Sequence, residues 1–261
     1  MADKSLMTCL KSHFGKIYIL SLVEREDRRY LIEKQLKALG IDAPDSTDYI
    51  RYFYATTFAH NNIIANAFNE SNKGKFTKAN EYDCARNHYA MVKICYVLGC
   101  QHCLILEDDL LFRTEPKILQ EYIENLPEDY DIAQFGGFTT DKRIKDYCGH
   151  LNDAAGMNKY WCKHHDVGLW TTSMYAMSRR GMEFYILFMD NFFWVADGPM
   201  YKAPINDTLI DTYLARTPLV IQADKDIIKS DIRNKENDSI DYNNSNVYEE
   251  EIDRSDFFNI N

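Results

Sequence analysis

The sequence predicts an α/β fold: a Rossmann-type mixed, mostly parallel sheet flanked by helices. Three observations carry that prediction. The chain opens with a strand–helix–strand unit, the seed of a parallel sheet. Two of its helical patterns end in a glycine, Gly40 and Gly99, as helices that stop cleanly do. One apolar run, Cys103-Leu104-Ile105-Leu106, reads as a strand buried on both faces and ends in Glu107-Asp108-Asp109. Burying three unpaired charges inside a strand would cost far more than the neighbouring leucines return. The acids therefore belong at its carboxyl end, where an open α/β sheet forms its ligand crevice.

Taken in order, residues 1–15 form an N-terminal extension ahead of a single domain over 16–232. Residues 17–22 (Ile-Tyr-Ile-Leu-Ser-Leu) are apolar enough for a central strand. Residues 23–29 read as a charged turn, and Leu31, Leu36 and Leu39 give residues 30–39 helical spacing. Residues 52–55 are a short second strand. After a polar stretch, residues 80–98 carry a helical stripe through Ala85, His88 or Tyr89, Val92 and Tyr96. Pro116 sits at the first turn of a further helix through Ile123. Residues 131–137 are a strand running into a glycine pair. Residues 139–163 are irregular, 168–177 a strand, 178–188 a helix, and 218–222 a last strand. The tail, 233–261, is Asn-, Asp- and Glu-rich with little apolar content, which predicts a flexible acidic segment.

Composition narrows the function. With 261 residues, 46% apolar and 13% aromatic, the chain can bury an enzyme-sized core. A formal net charge of −10 argues against nucleic acid as a partner. Seven scattered cysteines do not form a disulfide framework. The first residues lack the apolar core of a secretory leader, and no apolar run reaches the roughly 18 residues of a membrane helix. The sequence therefore predicts a cytoplasmic protein without an integral membrane segment, meeting any lipid-linked acceptor peripherally. The sequons at Asn69, Asn206, Asn237 and Asn243 are then chance matches.

Carboxylates at a strand end suit a hard divalent cation, Mg²⁺ or Mn²⁺, which takes oxygen ligands and bridges phosphates. In an extended backbone Glu107 and Asp109 share a side and Asp108 points away. Asp109 is the expected metal ligand. Glu107 accepts from the ribose or base and serves as a second metal candidate, and Asp108 orients its neighbours or meets the acceptor. Cys100-Gln101-His102-Cys103 has half the spacing of a zinc site, with Cys84, His88 or Cys95 as partners, but no second Cys-x-x-Cys completes it. Cys162-Lys163-His164-His165-Asp166 is similarly incomplete.

Several segments, in order, resemble the family-25 glycosyltransferases, which include lipooligosaccharide galactosyltransferases and collagen galactosyltransferase domains. Residues 17–29 look like that family's opening strand and Arg-rich turn. Glu81-Tyr82-Asp83-Cys84-Ala85-Arg86-Asn87-His88 is similar to its Glu-x-Gly-Cys-x-x-Ser-His element, with Asp83 in place of Gly and Asn87 in place of Ser. Leu106-Glu107-Asp108-Asp109 matches its Leu-Glu-Asp-Asp signature. Residues 131–136 resemble its Trp-Asp-x-x-x-Leu-Gly strand without the Trp. Tyr175-Ala176-Met177-Ser178-Arg179-Arg180-Gly181 resembles its Tyr-x-x-Ser-Arg-x-Gly segment. Ala196-Asp197 and Pro218-Leu219-Val220-Ile221-Gln222, with Ser230 following, look like its C-terminal motifs.

The resemblance implies a GT-A-like fold and an inverting, metal-dependent hexosyltransferase using a UDP-sugar, galactose or glucose, with Mn²⁺ or Mg²⁺. Its acceptor would be a glycan, a lipid-linked glycan or a hydroxylated protein. Arg25 and Arg28 would face the diphosphate, with Ser21, Leu22, Ala55, Glu81, His88 and Glu107 around the nucleotide sugar. Inversion requires a general base on the acceptor side; Asp197, after an aromatic run able to stack on a sugar, is the first candidate and Asp166 the second. Two other classes differ from this. One is a non-catalytic nucleotide-sugar-binding protein of the same fold. The other is a metal-dependent phosphotransferase, which the missing phosphate loop and Asp-x-Asp-x-Thr pattern speak against.

Overall fold

A computed structural model describes residues 5–56, 79–136, 159–163, 172–192, 195–200 and 210–223. In chain order the elements are α1 (Leu6–His13), β1 (Lys16–Ser21), α2 (Glu26–Ala38), β2 (Ile50–Tyr54), α3 (Ala79–Val97), β3 (His102–Glu107) and β4 (Leu110–Phe112). They continue with α4 (Pro116–Glu124), β5 (Ile132–Gln134), β6 (Trp161–Lys163), β7 (Met174–Ser178), α5 (Arg179–Phe192), β8 (Thr212–Ala215) and β9 (Val220–Gln222).

Seven strands form one sheet in the order β2-β1-β3-β7-β5-β8-β6. β1 pairs in parallel with β2 and β3, and β5 with β8; β7 is antiparallel to β3 and β5, and β6 to β8. All strands but β6 and β7 thus run one way, giving the mixed, mostly parallel sheet flanked by helices that the GT-A-like expectation requires. The chain leaves β1 for β2 on one side and returns to place β3 on the other. That reversal between β1 and β3 is a topological switch point, where open α/β sheets bind ligands beyond the carboxyl ends of the strands.

Period-two alternation divides each central strand between two cores. Ile17, Ile19, Leu104, Leu106, Met174 and Ala176 face one side, under α1, α2 and α4. Cys103, Ile105, Tyr175 and Met177 face the other, under α3 and α5. Glu107 continues the second face, so it meets α3.

Several elements differ from the sequence expectation. α2 starts at Glu26, within the stretch read as a charged turn, because Glu26 and Asp27 favour the positive end of a helix. Within the stretch set apart as an extension, α1 buries Leu6, Met7, Cys9 and Leu10 in the core beside α4. β6 and β8 were not anticipated; each is three or four residues, too short to show a period. β9 pairs with β4 in a separate two-stranded sheet rather than extending the main one.

Gly136 follows β5 where β9 passes. A Cβ there would overlap the Val220 carbonyl oxygen and crowd its side chain at 2.9 Å. Gly136→Ala should therefore push β9 outward and destabilise the chain by about 1–3 kcal/mol, the usual cost of overpacking. A lowered urea midpoint would register it, and an unchanged midpoint would show that β9 moves freely.

Candidate active site

The acidic corner is assembled from four sides. β3 ends at Glu107, and its backbone is fixed on both flanks: Glu107 N donates to Ser173 O at 2.9 Å, and Asp108 N donates to Leu20 O at 3.1 Å. Asp108 and Asp109 form the turn between β3 and β4. The alternation expected of an extended chain therefore stops at Glu107. Glu107 faces α3, while Asp108 and Asp109 both face α2, instead of Glu107 and Asp109 sharing a side.

α2 contributes Arg28, buried, whose Nη1 donates to Asp108 Oδ1 and to Asp109 Oδ2, each at 3.2 Å. β9 contributes Gln222, whose Nε2 donates to Asp109 Oδ2 at 3.3 Å. α3 contributes His88, fully buried, with Nε2 3.0 Å from Glu107 Oε1 and Nδ1 2.8 Å from the Tyr175 hydroxyl of β7. The Thr172 hydroxyl, just ahead of β7, also donates to Glu107 Oε1.

These surroundings drive the three carboxyls apart. Burial pushes Glu107 up, but hydrogen bonds from His88 and Thr172 outweigh it and hold the group below the usual glutamate range. Burial raises Asp108, against the pull of the Ser21 hydroxyl and Arg28. Asp109 is pushed up to about 7, by burial first and then by the negative charges of Glu107 and Asp108. Its Oδ1 is buried and has no hydrogen-bond partner among the described residues. A buried oxygen of this kind, beside two more carboxylates, fits a hard divalent cation, which supplies the missing positive charge and takes oxygen ligands.

The other sequence candidates fall around the same corner. Ser21 and Leu22 lie at the carboxyl end of β1, where Ala55 N donates to Ser21 O at 2.8 Å and the Arg29 guanidinium hydrogen-bonds the Leu22 carbonyl. Burial pushes the Cys84 thiol well up, followed by the charges of Glu107, Asp197, Asp109 and Glu81. Glu81 and Asp197 therefore act on the same small region as the strand-end acids. The Tyr185 hydroxyl of α5 anchors the Asp197 turn by donating to Ala196 O at 2.8 Å.

Arg25 is placed differently from its neighbour Arg28. It forks onto Asp27 at 2.9 and 2.8 Å, and that hydrogen bond holds the Asp27 carboxyl down at about 2. Asp166, His164 and His165 lie outside the described residues. Cys162 sits on β6 at the sheet edge farthest from β2, well away from this corner. Cys95, Cys100 and Cys103 pack as small hydrophobes in the core under α3.

Sequence reasoning missed Thr172, Tyr175 and Gln222. Tyr175 and Gln222 stand inside motifs already noted, and a polar residue closing an apolar strand, as Gln222 does, is a usable signal. Thr172 offers none. Of the two departures from the family pattern, Asn87 has a local role. Asn87 Oδ1 accepts from Thr56 N at 3.1 Å, and its Nδ2 donates to Thr56 O and Asp83 O at 3.2 and 2.7 Å. These bonds tie the end of β2 to α3.

Likeness to known proteins covers most of this corner, all but Asp197 and Gln222. Residues 14–192, more than half of the chain and everything from β1 through α5, match the family profile described as Glycosyltransferase family 25 (LPS biosynthesis protein). No curated protein matches. Among solved structures, a mannose-1-phosphate geranyltransferase from Thermus thermophilus aligns at 12% identity and TM-score 0.38, over 77% of this chain and 72% of that one. Mouse xyloside xylosyltransferase 1 aligns at 8% identity and TM-score 0.35, over 78% and 77%. Likenesses this distant have no bearing on the reaction. No described helix is long and apolar enough to cross a membrane.

Proposed function

The chain belongs to glycosyltransferase family 25, and from that premise we propose that it moves a hexose, galactose or glucose, from a UDP-sugar to a glycan, lipid-linked or hydroxylated protein acceptor, with inversion. The observation that carries this reading is the acidic corner at the β1/β3 switch point, where Asp109 is lifted to about 7 and one of its buried oxygens has no hydrogen-bond partner among the described residues. Asp109 and Glu107 would hold Mn²⁺ or Mg²⁺. Such an ion offsets the charge that builds on the departing diphosphate.

The chain's own residues divide the remaining work. Ser21, Leu22 and Ala55, at the ends of β1 and β2, border the nucleotide, with Glu81 and His88 closing the side toward α3. His88 acts through Glu107, fixing its carboxylate by one ring nitrogen while Tyr175 fixes the other. Arg28 holds Asp108 and Asp109 in register, and Arg25 stands at the head of α2 nearer the diphosphate. The acceptor hydroxyl attacks the anomeric carbon, the carbon–oxygen bond to the diphosphate breaks, and the hydroxyl proton passes to a carboxylate. Asp197 is the first candidate base and Asp166 the second; Asp108 would orient the acceptor. The six described cysteines are free thiols, which fits a reducing cytoplasmic setting with peripheral access to membrane-bound acceptors.

Incubation with Mn²⁺ and a panel of UDP-hexoses tests the reading. We expect UDP release with at least one donor, and loss of that release in Asp197→Asn. Absence of turnover and of any thermal shift with every nucleotide sugar would sink it. Donor binding without turnover, unchanged by Asp197→Asn, would make the chain a binding protein instead.

A further inference from the structure

We propose that Cys84, His88 and Glu107 form a binding site for a thiophilic divalent cation of the zinc class, beyond the hard-cation role proposed for Asp109 and Glu107 and sharing Glu107 with it. The three side chains come from two elements. Cys84 and His88 are four residues apart on α3 and so share a face one turn apart, and Glu107 closes the triangle from the end of β3. One ligand atom from each lies within 4.8 Å of the other two, the one such cluster among the described residues. Ligand atoms around a tetrahedral zinc sit about 3.3–3.6 Å apart, given bonds of about 2.0–2.3 Å. Small side-chain rotations therefore suffice to seat the ion.

The surroundings favour it in two further ways. His88 Nδ1 lies 2.8 Å from the Tyr175 hydroxyl. A cation would take the place of the Nε2 hydrogen bond to Glu107, leaving the ring's single proton on Nδ1 to be donated to that hydroxyl, the outer-shell arrangement that orients ligating histidines. The Cys84 sulfur also sits among the charges of Glu107, Asp197, Asp109 and Glu81. A doubly charged cation that displaces the thiol proton would offset the negative charge gathered there. One sulfur, one nitrogen and one oxygen leave a fourth position open and select Zn²⁺ or Co²⁺ over Mg²⁺. The Cys-x-x-Cys spacing at 100–103 suggests zinc from the sequence alone. Of the partners considered for it, Cys84 and His88 do converge, but with a carboxylate in place of those cysteines.

Titration of the whole chain with Co²⁺ alone tests the site. We expect a near-ultraviolet thiolate-to-cobalt band that saturates at one equivalent. Cys84→Ser should abolish it and His88→Ala should weaken binding at least tenfold, while Cys100→Ala and Asp109→Asn keep it. Zn²⁺ should raise the melting temperature of the wild type and not of Cys84→Ser, whose near-isosteric side chain preserves the fold. Absence of the band, or a band unchanged in Cys84→Ser, overturns the proposal. Neither outcome depends on sugar transfer, so failure of the transferase reading would leave this site standing.

Discussion

Asp109→Asn is expected to lower Mn²⁺-dependent sugar transfer by two to three orders of magnitude, the scale on which one electrostatic transition-state contact acts, without unfolding the chain. Asparagine keeps the shape and the Gln222 contact but cannot carry the charge that a hard cation requires. The same variant should be relatively more stable as the pH rises. Asp109 in the folded chain titrates at about 7, whereas an unfolded aspartate titrates at about 4. Between those values the folded state binds more protons than the unfolded one, so the wild type loses stability as pH rises through this window, and the loss is complete above it. The asparagine variant has no such slope. Urea midpoints of the two proteins, measured on either side of the window without divalent cations, should diverge toward alkaline pH. Parallel midpoints would mean that Asp109 ionises like a surface aspartate.

Arg28→Met should cost about 3–5 kcal/mol of stability, the usual result of removing one member of a buried ion pair. The side chains of Arg28, Asp108 and Asp109 are only 8%, 5% and 12% exposed. Without the guanidinium two neighbouring carboxylates remain buried in low dielectric with no compensating charge. The deficit should shrink in acid, where the carboxyls protonate. It should also shrink in Arg28→Met/Asp108→Asn, where one of the two charges has gone. Denaturant unfolding of the four proteins of this double-mutant cycle measures the coupling directly. Additive losses would show that Arg28 and Asp108 do not interact in solution.

Much of this was legible in the residues. β1, β3 and α3 are long or strongly apolar, so their periods announce them, and Glu107-Asp108-Asp109 cannot lie inside a strand. The short elements escaped because two or three residues carry no period; β6 and β8 exist through pairing with each other and with β5, a tertiary effect. The facing of the three acids was misjudged for a related reason. Strand alternation was extended over Asp108 and Asp109, which the chain uses to turn. The role of Arg28 was out of reach as well. A charged residue at the start of a helix is usually solvated, and only the fold brings it under the β3–β4 turn from eighty positions away. The Cys84–His88–Glu107 cluster was half visible, as i and i+4 on one helix; its third member needed the sheet.

The reversed strand β7 also bears on how the chain is made. Each half of the sheet, β2-β1-β3 and β5-β8-β6, can begin to pair among its own members, but among the described strands only β7 joins them. During synthesis the N-terminal half emerges with the outer edge of β3 bare until residues 174–178 leave the ribosome. At about 5–20 residues per second that is a wait of several seconds. An apolar strand edge left open for that long invites pairing with another nascent chain. Slowing translation between β3 and β7 should therefore lower the soluble yield, and a pause placed after β7 should not.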